Sequence, residues 1–214
     1  MIGGLARTAV SRGWPLTQPA HQPKHQPPSA GAQAGEPEAA EQGEEQRLAP
    51  VTLPTGKVFR VEPAARFAIS CFALRAVIRA GHAQRPSVKQ HLQSLARISE
   101  QWTEWNEYFA PDTIVSGLHA LAAAGPEHEE IIHRLVGLLT TNQRIDGEWP
   151  HADLFQVLDA LLAAGTLEAQ VTVRRAGTAL AARQRADGTF GTTAQQERAL
   201  IGLRALLWAS RSPA

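Results

Sequence analysis

Two aspartates are the side chains of this sequence that we consider for acid–base chemistry. Asp112 follows Pro111 at the start of an apolar segment, and Asp159 lies within a later one. An acid-catalysed reaction needs a titratable group that donates a proton at the reacting atom. Asp112 and Asp159 are therefore our candidate catalytic residues. A structural interpretation competes at the first site, because Asp112 or Thr113 would also serve as the cap of a helix.

Four titratable side chains occupy equivalent positions in four predicted helices: Arg75, His119, Asp159 and Arg204. If these faces point inward, the four line a cavity. If they point outward, they form the solvated stripe of amphipathic helices, which is the commoner outcome. Ser116 and Gln156 match each other at an interval of 40 residues. We expect Trp208 to close the open end of the domain. Our candidate ligand-binding residues are His119, Asp153, Gln156 and Trp208.

Other motifs that could carry chemistry do not have the spacing that this chemistry requires. His128 and His133 are five residues apart, whereas the zinc-protease helix needs two histidines four apart on one face. Cys71 is the only cysteine, which excludes a Cys-based zinc cluster and an intramolecular disulfide. His151 and Asp153 have a metal-ligand spacing, but a helix start explains them better. No phosphate-binding loop or nucleophile elbow is present, so we predict no metal and no cofactor.

A repeated turn organises the chain around these residues. The pattern Gln-x-x-Asp-Gly-x-aromatic occurs twice, with every matched position 41 residues apart. We expect both glycines to have positive φ, the aromatic rings to fill the gap between paired helices, and Gln and Asp to satisfy open backbone groups. We therefore assign all eight residues to the scaffold: Gln143, Asp146, Gly147 and Trp149, then Gln184, Asp187, Gly188 and Phe190.

The hydrophobic periodicity from Glu62 onward predicts seven helices. They start near residues 62, 87, 112, 126, 153, 167 and 195, and the sixth spans about 167–184. Repeat intervals of 40 to 45 residues suit a two-helix unit that buries its apolar face only by stacking on its neighbours. The predicted fold is all-α, built from three and a half αα-hairpins.

The turn motif and the hairpin period resemble the QW-type repeat of the terpenoid cyclase and protein prenyltransferase superfamily, over about residues 63 to 210. The resemblance implies a partial, roughly half, α/α toroid. Class II cyclases of this superfamily carry Asp-x-Asp-Asp-Thr, whose middle aspartate protonates the substrate. The matching stretch here is Phe109-Ala110-Pro111-Asp112-Thr113, so a proline occupies the position of the proton donor.

The zinc prenyltransferases of the same superfamily hold their metal with an Asp and a Cys two residues apart and a distant His. In this chain the His position is Gln156, and Ile69 stands two residues before Cys71 where the acid is needed. Glutamine is a poor zinc ligand. The resemblance therefore implies the architecture of the superfamily without its cyclase acid or its zinc ligands.

Composition divides the chain into three parts. Residues 1–50 are rich in Pro, Gln and Glu and are predicted to be a disordered tail, residues 51–62 an extended linker or capping segment, and residues 63–214 the repeat domain. A net charge of +1 excludes a strong nucleic-acid footprint, and no apolar run has membrane length. We expect a cytoplasmic protein, and eighteen Arg against three Lys suggest a GC-rich bacterial source.

A half toroid leaves an apolar helix face uncovered at each end. We predict that homodimerisation covers these faces, with a cap formed around Val58–Val61 or a partner subunit as the alternatives. The expected function is a non-catalytic repeat module that binds a protein or an apolar ligand such as an isoprenoid. The alternative is an isoprenoid-processing enzyme, or a subunit of one.

Overall fold

The computed structural model describes residues 47–105 and 111–211. This part of the chain is all-α apart from one short hairpin, which confirms the predicted fold class. The predicted disordered tail lies outside the described residues except for 47–50, as do Phe109 and Ala110 of the cyclase-like stretch. None of the described helices combines the length and apolar character needed to span a membrane.

Eight α-helices lie within the described residues: α1 Glu62–Val77, α2 Pro86–Ser99, α3 Pro111–Ala124, α4 Glu129–Thr141, α5 Leu154–Ala164, α6 Leu167–Arg175, α7 Gly177–Arg183 and α8 Gln195–Ala209. Helices α1, α3, α5 and α8 contact one another in that order, while α2, α4 and α6 pack outside them. The chain thus alternates between an inner and an outer row. In the inner helices α3 and α5 nearly every residue of the first two turns is buried.

The two repeated turns share their backbone geometry. Gly147 and Gly188 have φ of 88° and 81°, values that residues with a Cβ rarely adopt. Asp146 Oδ1 accepts the backbone N–H two residues ahead at 3.0 Å, and Asp187 does the same. Each turn is an Asx turn that reverses the chain between an outer and an inner helix.

The aromatic residue of each turn is buried between helices. Trp149 is 4% exposed and donates its indole N–H to the carbonyl oxygen of Leu139 at 2.8 Å, and Phe190 is 3% exposed. Gln143 fixes the first turn by donating from Nε2 to the carbonyl oxygens of Gly147 and Thr172, both at 3.1 Å. These contacts give the turn motif a structural role.

A third aromatic ring, before α3, is buried in the same way, although the sequence motif is absent there. Trp102 is 1% exposed and packs so closely on Gly117 that a Cβ there would overlap the ring. Arg134 donates to the carbonyl oxygens of Trp102 and Ser99 at 2.8 and 2.7 Å. Arg134 of α4 therefore satisfies two carbonyl oxygens that are left open at the end of α2.

One predicted helix is broken. The segment 167–184 forms α6 and α7, which meet at Ala176. The Gly147 turn packs against this point, since a Cβ on Gly147 would lie 2.7 Å from the carbonyl oxygen of Arg175 and 2.9 Å from Ala176 Cα. Gly177 follows, and glycine is a weak helix former. The break depends on a tertiary contact that periodicity does not reveal.

The segment before α1 folds as a β-hairpin. Strand β1, Val51–Thr52, pairs antiparallel with β2, Val58–Phe59. Leu53 and Phe59 are buried in a small cluster with Ala65 and Ala68 of α1. The hairpin also reaches two other inner helices, through Lys57 to α3 and through the carbonyl oxygen of Thr55 to α8.

Candidate functional site

The inner helices and the β-hairpin enclose a cavity of about 370 Å³. Its volume is within the range of about 300–1,000 Å³ that is usual for small-molecule sites. Helix α1 contributes Cys71, Phe72 and Arg75, and the hairpin covers one side with residues 53–55. Helices α3, α5 and α8 supply most of the remaining wall. The cavity is therefore a feature of the whole inner row.

The four repeat-equivalent titratable residues all line this cavity. Asp159 is the central member, and its Oδ2 lies 3.5 Å from both an Arg75 guanidinium nitrogen and His119 Nδ1. Its Oδ1 lies 3.7 Å from Arg204. The inward orientation is thus the one observed for Arg75, His119 and Asp159, whereas Arg204 is half exposed and lines the cavity from its rim.

Two neutral residues at equivalent repeat positions also contact each other directly. Gln156 Nε2 donates to Ser116 Oγ at 2.9 Å, joining α5 to α3 on the cavity wall. Gln156 Oε1, His119 Nε2 and Arg75 Nε are buried without a hydrogen-bond partner among the described residues. Unpaired buried polar atoms are costly, so each of them calls for a physical explanation. The wall therefore has hydrogen-bonding capacity that the protein itself does not use.

Burial sets the protonation of the two central groups. It raises the pKa of the Asp159 carboxyl, while Arg75, Arg204 and Arg79 act against the rise. It lowers the pKa of His119 well below 6.5, and the same three arginines lower it further. His119 is therefore neutral at pH 7, and Asp159 has three cations that favour its ionised form.

The other candidate acid, Asp112, lies outside the cavity lining. It occupies the first turn of α3, which begins at Pro111, and forms an ion pair of 2.5 Å with Lys57 of the β-hairpin. Burial raises the pKa of Asp112, whereas the hydrogen bond and the charge of Lys57 lower it. The structure thus gives Asp112 a fixed structural contact and does not make it part of the cavity wall.

Two candidate ligand-binding residues are also away from the cavity wall. Asp153 is the N-cap of α5, accepting the N–H groups of Phe155 and Gln156 at 3.1 Å, and it pairs with Arg198 at 3.3 Å. Trp208 is half-buried against the main core, and its carbonyl oxygen accepts from Gln170. Capping and packing explain these two residues without a ligand.

The described residues contain no arrangement suited to metal binding or to thiol chemistry. No three His, Cys, Asp or Glu side chains there are grouped as metal ligands. Cys71 lines the cavity but is buried, and burial raises the pKa of its thiol to about 12. A thiol with such a pKa is a poor nucleophile at neutral pH.

Sequence reasoning missed several parts of the wall: Leu53, Phe72, Arg79, Glu197 and Leu200. Arg79 follows Arg75 by four residues, so helical spacing alone would have placed it on the same face. Residues 53–55 could not be found in this way, because only tertiary folding brings the hairpin to the inner helices.

Comparison of the chain with family models, with curated proteins and with solved structures gave no match. The chemistry of the cavity is therefore the main basis for a functional assignment.

Proposed function

We propose that this chain is a non-catalytic binding module built as a partial α/α toroid of the terpenoid cyclase and prenyltransferase type, acting in the cytoplasm. Support for the architecture comes from the two QW-like turns and from the inner and outer helix rows. The observation that carries the binding function is the cavity, whose lining residues include four with an unpaired buried polar atom, namely Thr55, Arg75, His119 and Gln156.

The absence of a catalytic role is supported by what the candidate acids contact. Asp112 is held by Lys57, and Asp159 lies within 4 Å of Arg75 and Arg204. An ion-pair partner favours the ionised form of a carboxylate, and that form cannot donate a proton. The position of a cyclase proton donor is Pro111, and the position of a zinc-binding histidine is Gln156, which binds Ser116 instead.

A second candidate function is an isoprenoid-processing enzyme, or a subunit of one. One observation favours it, namely that burial raises the pKa of both Asp112 and Asp159, as a general acid requires. Incubation with prenyl diphosphates and with squalene-like polyenes, alone and with cell lysate, tests this function. Turnover that Asp112→Asn or Asp159→Asn abolishes would favour the enzyme over the binding module.

Binding is tested by filling the mouth of the cavity. Leu200 lines the cavity and is 51% exposed, so Leu200→Trp adds bulk at the rim without disturbing the core. We expect native mass spectrometry of the purified chain to detect a co-purifying small molecule, and the substitution to remove it. Val171→Trp is the matched control, because Val171 is 43% exposed and lies on outer helix α6. A ligand retained equally by both variants would place binding elsewhere.

We propose further that a second copy of the chain covers the end of the inner row. Leu118 and Leu158, at equivalent positions in α3 and α5, are completely buried, whereas their counterpart Leu203 in α8 is 56% exposed. Leu206 is 44% exposed where its counterparts are also buried. Helix α8 therefore keeps the leucines of an internal repeat on a face that no described residue covers.

A further inference from the structure

The guanidinium groups of the cavity hold their carboxylate loosely. Arg75 and Arg204 lie 3.5 and 3.7 Å from Asp159, beyond the 2.7–2.9 Å of a charge-assisted hydrogen bond. The same chain forms a tight two-point pair at its surface, where Arg183 donates to Glu148 at 2.7 and 2.9 Å. Because their contacts with Asp159 are longer, the cavity arginines retain N–H groups that can donate to another acceptor.

One of these donors is buried. Arg75 Nε has no hydrogen-bond partner among the described residues, although the Arg75 side chain is only 15% exposed. The guanidinium is planar and presents its N–H groups as a fork that matches two oxygen atoms of one group. A ligand carboxylate or phosphate supplies such a pair of oxygens.

The charge of the cavity favours an anion. Its wall carries three arginines, Arg75, Arg79 and Arg204, against two acids, Asp159 and Glu197. Arg79 forms no salt bridge within the described residues, and its charge adds to the field of the other two. Neither His119 nor Cys71 adds a charge at neutral pH, so the wall has one positive charge in excess.

The remaining wall limits the size and the shape of the ligand. Phe72 and Leu200 provide apolar surface near the arginines, whereas Ser116, His119 and Gln156 form a neutral polar wall. A volume of about 370 Å³ is at the lower end of the small-molecule range and suits a compact metabolite better than a long polyprenyl chain.

We propose that the cavity binds a small organic anion, with its carboxylate or phosphate group between Arg75, Arg79 and Arg204 and its uncharged part toward the neutral polar wall. This inference rests on the proposed binding function and specifies its ligand class. Charge-assisted hydrogen bonds from the arginines provide most of the recognition, and the polar wall selects among anions of similar size.

Isothermal titration of the full chain with paired probes tests the ligand class. The pairs are succinate with its neutral diamide, and glycerol phosphate with glycerol, while inorganic phosphate and farnesyl diphosphate test the minimal anion and the long chain. We expect at least one small anion to bind, its neutral counterpart not to bind, and the affinity to fall as salt screens the charges. The carboxylate and phosphate arms decide between the two sources of negative charge.

Arg204→Gln is the diagnostic variant, because Arg204 is half exposed and its loss does not open the core. Loss of one charged hydrogen bond should weaken anion binding by on the order of 10- to 100-fold. Arg185→Gln, which removes an exposed arginine outside the cavity, should bind as the unmodified chain does. Thermal melts of both variants establish that they are folded.

The other possible results of these experiments distinguish failure of the anion inference from failure of the binding function. If the neutral probes bind as well as the anions, and Leu200→Trp blocks them, the binding module stands and the anion inference is overturned. If Arg185→Gln weakens binding as much as Arg204→Gln, the anions respond to general surface charge and the inference fails. If no small anion binds, the inference is wrong, and a ligand retained in native mass spectrometry would show whether the binding function survives it.

Discussion

At the scale of single residues, His119 shows how burial and nearby charges give a side chain a defined protonation state. Only 3% of its side chain is exposed, and the charged groups that face it are Arg75, Arg79 and Arg204 with Asp159. Removal from water disfavours the imidazolium ion, and three nearby cations disfavour it further. The neutral ring is therefore part of the folded state and is expected to make folding depend on pH.

The sign of that dependence follows from proton linkage. Between pH 7.5 and 6.0 the unfolded chain binds a proton at His119, with a pKa near 6.5, whereas the folded chain does not. Acidification over this interval should therefore lower the free energy of unfolding, by about 0.8 kcal/mol from this residue. Urea titrations at several pH values measure it. His119→Asn should flatten the dependence and His82→Asn, at an exposed position, should not; equal slopes in the two variants would refute the assignment.

The candidate acids behave differently from each other at this scale. Asp112 contacts Lys57 and shares no cavity with Asp159, although the two residues looked alike as titratable groups in predicted helices. Their side-chain surroundings separate their roles. The ion pair of Asp112 joins α3 to the β-hairpin, whereas Asp159 orders the cationic wall of the cavity.

At the scale of elements, the turn between an outer and an inner helix is the unit that repeats. In both copies the glycine has positive φ, the aspartate accepts from the backbone two residues ahead, and the ring is buried. The copies differ in their surroundings, because the Gly147 turn packs against the junction of α6 and α7, while a Cβ on Gly188 would meet nothing within 4 Å.

Because of this difference, substitutions at the two glycines measure the cost of backbone strain separately from the cost of a packing clash. Gly188→Ala should cost about 1–2 kcal/mol of unfolding free energy, which is the penalty for a Cβ at positive φ. Gly147→Ala should cost roughly 1–3 kcal/mol more, because its Cβ would collide with backbone atoms that cannot rotate away. Chemical denaturation of the two variants gives both values. Similar losses of unfolding free energy in the two variants would mean that the α6–α7 junction shifts to admit the Cβ without a cost in free energy.

At the scale of the whole molecule, the inner row ends on an apolar helix face. Exposed leucines of α8 include Leu203, Leu206 and Leu207, with 44–56% of each accessible. An uncovered cluster of this kind usually marks an interaction surface. A second copy is the occupant that we propose, because a symmetric pair uses the same leucines twice.

Light scattering coupled to size-exclusion chromatography tests the second copy. We expect a dimer that Leu203→Glu converts to monomer, since a buried carboxylate without a partner is strongly unfavourable. Ile145→Glu is the control, because Ile145 is fully exposed in the turn between α4 and α5. A chain that stays monomeric over the whole concentration range, or a dimer that survives Leu203→Glu, would contradict the proposal.

The sequence by itself determined the all-α class, the helix boundaries to within a few residues and the equivalence of Ser116 with Gln156 and of His119 with Asp159. These follow from period and interval, because residues at matched repeat positions lie side by side on neighbouring inner helices. Tertiary structure alone decided the break at Ala176, the burial of Trp102 and the hairpin wall of the cavity. Each of these depends on contacts between segments far apart in the chain, which local periodicity does not encode. Whether Arg75 and Arg204 face solvent or Asp159 was decided in the same way, by the orientation of the whole inner row.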